Sequence, residues 1–131
     1  MSVSLGRITL DSGIVISKGS LGEWRLEGAG CSFLLGEKYG FERAISLLEK
    51  PIDEVKLNLG RDFPYVNLIQ IGLRHGSDYW IGLALSWVKN ISADEAGVFL
   101  GDLELLSSDK SISQKNRQSS KKEVRRIISH A

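Results

Sequence analysis

Short apolar clusters open the chain, and helical stripes fill the remainder. Ile8 and Leu10, then Ile14-Val15-Ile16, then Trp24 and Leu26, then Phe33-Leu34-Leu35 are separated by Ser12-Gly13, Lys18-Gly19-Ser20, Gly28-Ala29-Gly30 and Gly36. Clusters this short between glycine-containing breaks predict strands. Glu23-Trp24-Arg25-Leu26-Glu27 alternates charged and apolar residues, the period of a half-buried strand. Three or four short antiparallel strands are expected.

The period changes after Tyr39-Gly40. Phe41, Ala44, Ile45 and Leu48 fall at helical spacing, and Pro51 stops that run because it cannot donate to the ladder. Ile52, Val55 and Leu59 suit a short helix, whereas Val55, Leu57 and Leu59 suit a strand; the helix is the favoured reading. Asp62 is expected to cap a helix with Pro64 in its first turn and Val66, Ile69 and Leu73 on its apolar stripe. Ser77 opens the next helix, carrying Trp80, Ile81, Ala84, Leu85 and Val88, and Asn90 closes it. These two form a potential αα-hairpin. Ser92-Ala93-Asp94-Glu95 reads as a capping box opening a helix with Val98, Phe99, Leu103 and Leu106. From Ser107 to Lys122 only Ile112 is strongly apolar. Val124, Ile127 and Ile128 then offer one face, as a linker and docking helix or as one long helix anchored at its ends. The pattern predicts an α+β fold: antiparallel strands over about residues 5–35, then a helical bundle over about residues 41–129.

A length of 131 residues fits a single domain, with 42% hydrophobic and 25% charged residues, ordinary for a globular chain. Cys31 is the only cysteine, which forbids an internal disulfide and suggests a reducing compartment. No apolar run reaches the roughly 20 residues of a membrane helix, and no leader-like apolar region opens the chain. A cytoplasmic protein is expected, without a membrane partner.

Charge changes this picture more than composition does. Through Asp109 there are 10 Lys/Arg against 15 Asp/Glu, and from Lys110 onward 7 against the single Glu123. An acidic body therefore carries a basic C-terminal helix or tail from about residue 110, an asymmetry that concerns partners more than fold.

Catalytic chemistry finds little support. Leu73-Arg74-His75-Gly76 resembles the Arg-His-Gly motif of the histidine phosphatases, in which histidine is phosphorylated and arginine holds the phosphate. That family's motif follows an N-terminal strand and needs a second arginine and histidine. Here it ends a helical stripe, and the only other histidine is His130. A basic helix C-terminus followed by a left-handed glycine stop accounts for the string. Gly28-Ala29-Gly30 lacks the third glycine of a dinucleotide turn, and a hairpin is the better reading. Cys31 is expected to act as a small hydrophobe. Two histidines and one cysteine, none at ligand spacing, predict no metal or other cofactor. Asp53-Glu54 and Asp94-Glu95 sit in expected first turns, where negative charge suits the helix dipole. The chain is read as a non-enzyme.

Lys115, Arg117, Lys121, Lys122, Arg125 and Arg126 could contact phosphates, but the tail holds no aromatic residue for stacking and the body is acidic. Nucleic-acid binding through the basic tail is therefore the alternative to a basic helix packed on an acidic body. Two features remain. Asp94, Glu95, Asp102, Glu104 and Asp109 form an acidic run with no Lys or Arg from Ser92 through Asp109. It is either a solvated face or a patch complementary to a basic partner. Trp80 and Trp87 share one helical face and are expected in the core, whereas Tyr79, beside Asp78 and about a hundred degrees away, is the candidate exposed anchor. Asp94, Glu95, Asp102, Glu104 and Tyr79 are the expected partner-binding residues.

Ile71-Gly72-Leu73-Arg74-His75-Gly76-Ser77-Asp78-Tyr79-Trp80-Ile81-Gly82-Leu83-Ala84-Leu85-Ser86-Trp87 resembles the paired-helix segment of small bacterial immunity proteins, encoded beside polymorphic and contact-dependent growth inhibition toxins. Ser113-Gln114-Lys115-Asn116-Arg117 is similar to a stretch that opens a last helix in some of them, although Gln118 stands where a histidine follows the arginine. The resemblance implies a stoichiometric inhibitor of a cognate toxin domain, often a basic nuclease.

Overall fold

The structure, a computed structural model, describes residues 6–28, 30–36 and 40–130, and of Cys31 the backbone only. The expected packing of the Cys31 side chain lies outside the described residues, as does the first residue of the expected strand region. The fold is α+β: a four-stranded antiparallel sheet followed by helices. Proximity along the backbone divides the chain into two compact units, Met1–Leu68 and Ile69–Ala131.

In the first unit, β1 (Arg7–Thr9), β2 (Val15–Lys18), β3 (Trp24–Gly28) and β4 (Cys31–Leu34) form a meander in sequence order. Ile8 pairs with Ile16, Ile16 with Leu26, and Leu26 with Phe33. Ile8, Ile16 and Leu26 are buried. These residues form a ladder across the sheet, and because the side-chain period is two, this register keeps Ile8, Ile16 and Leu26 inside while Phe33, at the edge, is half-buried. Gly28 pairs with Cys31, so β3 and β4 pair as antiparallel neighbours.

A short helix, α1 (Gly40–Arg43), is followed by a 3₁₀ segment at Ile45–Glu49 rather than by the continuous helix the periodicity suggests. Ala44, Leu47 and Leu48 are buried there. α2 (Ile52–Leu59) settles the ambiguous stretch as a helix: Ile52, Val55 and Leu59 are inside and Leu57 is outside. A helix buries the i, i+3, i+7 set, whereas a strand would have turned Leu57 inward with Val55 and Leu59.

Asp62 does not cap the next helix. α3 (Tyr65–Leu73) begins three residues later, with Leu68 N–H donating to Pro64 C=O, so the Asp62 carboxylate lies too early to reach the second or third helical amide. It accepts from Lys18 Nζ at 2.9 Å instead. Between them Phe63 is buried, edge-on to both Trp24 and Tyr65 at centroid distances of 5.1 Å.

In the second unit, α4 (Asp78–Lys89), α5 (Ala93–Ala96), a 3₁₀ turn at Gly97–Phe99, α6 (Leu100–Ser107) and α7 (Gln114–His130) follow in order, and α7 packs against α4, α5 and α6. Ser92 and Glu95 close the expected capping box: Glu95 N–H donates to Ser92 Oγ at 3.1 Å and Ser92 N–H to Glu95 Oε1 at 3.4 Å. Ser77 occupies the N-cap position of α4, but its side chain makes no capping bond. Trp87 is fully buried and Trp80 only partly, against the expectation that both are core.

The C-terminal segment is one long helix, and its buried face is not the apolar one. Asn116, Ser120, Glu123 and Ile127 recur at i, i+4, i+7 and i+11 and face inward, while Val124 is half-buried and Ile128 exposed. The polar members of that stripe are all satisfied. Asn116 donates to Asp78, Ser120 Oγ donates to Asn116 C=O at 2.8 Å, and Glu123 accepts from Arg126 Nε at 2.7 Å. Among the described residues no buried side-chain N or O lacks a partner. Hydrogen bonding is what permits a polar stripe to go inside.

Candidate interaction surfaces

The Arg74-His75 string lies just past α3. Arg74 Nε donates to Asp102 Oδ1 at 2.8 Å and Nη2 to Oδ2 at 3.4 Å, a two-pronged pair that ties this turn to α6. The Asp102 carboxylate holds the Arg74 guanidinium above its ordinary range, by hydrogen bonding first and by charge second. His75 is exposed with its ring 6.2 Å from that of Trp80, and Gly76 has φ +88°, the left-handed stop expected there. His130 stands in the last turn of α7. Among the described residues no group of three or more His, Cys, Asp or Glu is placed to hold a metal ion, and no helix is long and apolar enough to cross a membrane.

The five expected partner-binding residues do not form one patch. Asp102 is turned to Arg74, with only 11% of its side chain exposed. Glu95 is exposed, though its carboxylate closes the capping box. Asp94 and Glu104 are exposed without such ties, and Asp109 accepts from Ser111 N–H and Oγ, bonds that hold its carboxyl below the usual range. Tyr79, 56% exposed, belongs instead to a groove between α4 and α7 whose lining includes none of those carboxylates.

The acidic residues have apolar company that the sequence reading named in a helix or passed over. Val98 is 55% and Leu105 73% exposed, and Gly101 between them faces open space. Val98 belongs to the 3₁₀ turn and Leu105 to α6; both are exposed, while Phe99, Leu103 and Leu106 take the buried side. Val98, named with Phe99, Leu103 and Leu106 in the expected helix, differs from them in facing solvent. Within α6 the outward turn of Leu105 was readable in the spacing, since Leu103 and Leu106, three apart, take the buried side and Leu105 falls between them. The segment from α5 through α6 thus exposes two large apolar side chains together with Asp94, Glu95 and Glu104, and it is free of Lys and Arg.

The basic tail also divides. Arg117 Nη1 donates to Ile112 C=O at 2.6 Å, and Arg126 donates to Val88 C=O at 3.0 Å and Ile91 C=O at 3.1 Å while pairing with Glu123. These two arginines are structural, satisfying carbonyls at the end of α4 and ahead of α7. Lys115, Lys121, Lys122 and Arg125 face solvent. No family model, curated protein or solved structure matches the chain.

Proposed function

We propose that this chain is an immunity protein that binds and neutralises a cognate toxin domain of basic character, a nuclease being the expected class, in the cytoplasm of the cell it protects. The observation that carries this reading is the α5–α6 segment, where Val98 and Leu105 stand exposed along with the exposed carboxylates Asp94, Glu95 and Glu104. Burying a fully exposed leucine contributes on the order of 1.5–3 kcal/mol, and a single-sign rim speeds encounter with an oppositely charged partner. Apolar side chains to be buried together with charge to steer the encounter are what a specific interface uses. The resemblance of the Ile71–Trp87 segment to immunity proteins supports the same reading.

The test has two stages. Co-purification from the native cell through a moderate-salt wash should recover one basic polypeptide at equal stoichiometry. Expression of that polypeptide should then arrest growth unless this chain is co-expressed. Val98→Asp/Leu105→Asp should abolish both the complex and the protection. A partner that is harmless by itself, or protection that survives the double substitution, would refute the assignment.

A further inference from the structure

A groove of about 540 Å3 runs between α4 and α7. Lys89 and Asn90 line it from the end of α4, Lys115, Ser119 and Lys122 from α7, and Tyr79 from the start of α4. We propose that this groove binds single-stranded nucleic acid, with Lys89, Lys115 and Lys122 holding phosphates and a base stacked on Tyr79.

Two objections arise from the sequence, the lack of an aromatic residue in the basic tail and the acidity of the body, and the structure answers both. Tyr79 is far from the tail in sequence, yet it shares a groove with Lys115 and Lys122 and remains more than half exposed. Its ring stands edge-on to Trp80, centroids 5.0 Å apart, so the partly buried indole supports it. The second unit, Ile69–Ala131, carries nine Lys/Arg against seven Asp/Glu, and its carboxylates near the groove are engaged. Glu123 pairs with Arg126, and Asp78 accepts from Ser113 N–H and Asn116 Nδ2. Among the described residues no carboxylate lies within ion-pairing distance of Lys89, Lys115 or Lys122, all three exposed. Arg126 offsets the charge of Glu123, while Asp78, bonded to neutral donors, keeps its own; three lysines against that one carboxylate leave the local balance positive although the chain as a whole is nearly neutral.

Spacing chooses the ligand class. Lys115, Ser119 and Lys122 follow i, i+4 and i+7 along one edge of α7, so the two lysines lie about 10 Å apart along its axis. At the ~3.4 Å per nucleotide of a stacked strand, that is the run of about three nucleotides. A lone phosphate would leave most of the groove unused. An acidic peptide would meet the lysines but bring no flat ring to Tyr79. A line of point charges beside an aromatic platform fits a strand that offers phosphates along one side and bases along the other.

Fluorescence anisotropy of the full chain with short labelled uridine and thymidine oligonucleotides tests this directly. Binding at low salt should weaken on salt addition with a log–log slope of about −2, the value for three phosphate contacts on a single strand. Lys89→Gln/Lys115→Gln/Lys122→Gln, at three exposed positions, should keep the circular dichroism spectrum and bring the slope toward zero. Tyr79→Ala should weaken binding about 5- to 150-fold at unchanged slope, the equivalent of losing one stacked base. Leu105→Asp on the α5–α6 surface should leave the affinity unaltered, which separates this inference from the toxin reading. Absence of binding at low salt, or full binding by the triple variant, overturns the proposal. So does equal competition by polyglutamate together with indifference to Tyr79→Ala, which would mark a general anion groove.

Discussion

Asn116 Nδ2 donates both to the backbone carbonyl of Asp78 at 2.9 Å and to its carboxylate at 2.8 Å. Ser113 N–H donates to the same carboxylate at 2.8 Å, so the first turn of α4 and the start of α7 are joined through one aspartate. Gly82 completes the contact one turn along α4, since a Cβ there would come within 3.3 Å of Asn116 Oδ1. A glycine in a helix interior costs about 1 kcal/mol relative to alanine, and the closeness of the amide is its reason here.

Asn116→Ala should destabilise the protein by about 1–3 kcal/mol, read as a lower urea midpoint at unchanged slope. The Asp78 carboxylate keeps its bond from Ser113, which places the expected loss toward the lower part of that range. Asn116→Asp should be worse at neutral pH, because two carboxylates would then face each other, and should recover on mild acidification.

The same network predicts an acid-sensitive stability. The Ser113 N–H bond, followed by those from Asn116 and the Ser113 side chain, holds the Asp78 carboxyl below its usual 3.8, against a weaker upward push from burial. A depressed folded value means that the stabilisation is fully present above about 3.8 and is lost as pH falls through the folded value. Unfolding midpoints measured from about pH 5 downward should fall for the unaltered protein and fall less for Asp78→Asn. An identical profile for the two proteins would contradict the role given to this carboxylate.

Arg126 tests the polar face of α7. Glu123 is buried and its only hydrogen-bonded cation among the described residues is Arg126, which also satisfies Val88 C=O and Ile91 C=O. Arg126→Met should cost about 3 kcal/mol or more, because it leaves a buried carboxylate without its counter-charge. Arg126→Met/Glu123→Gln should be less destabilised than the single variant, since the orphaned charge is then gone. A double variant as unstable as the sum of the singles would show that the pair is not coupled.

Leu103 and Leu105 stand two residues apart on α6, one fully buried and the other 73% exposed. Leu103→Ala should lower stability by about 2–5 kcal/mol, whereas Leu105→Ala should change it by less than about 0.5 kcal/mol. Thermal denaturation of the two variants distinguishes them, and a large loss at Leu105 would remove the α5–α6 segment from consideration as a free surface.

Much of the secondary structure was legible because local rules govern it. Ser92 and Glu95 close their capping box across three residues, and Pro51 ends one segment and starts another through its own missing N–H. Glycine-punctuated clusters gave four strands, and Ile52, Val55 and Leu59 marked α2 by their period. Asp62 failed as a cap because α3 starts three residues later, too far along for its carboxylate to reach the helix amides, and Lys18, brought near by the sheet, takes it instead.

By itself, the sequence determined which segments are strands and helices and where charge accumulates along the chain, since both follow from neighbours within a few residues. Only the tertiary structure decided that Asn116, Ser120 and Glu123 turn inward, because a polar stripe reads as solvated until the partners that satisfy it are in place. It also decided that Asp102 faces Arg74, that Val98 and Leu105 face out, and that Tyr79 lies beside Lys115 and Lys122. Those are contacts between residues far apart in sequence, and no local spacing encodes which of several compatible partners the packed helices bring within reach.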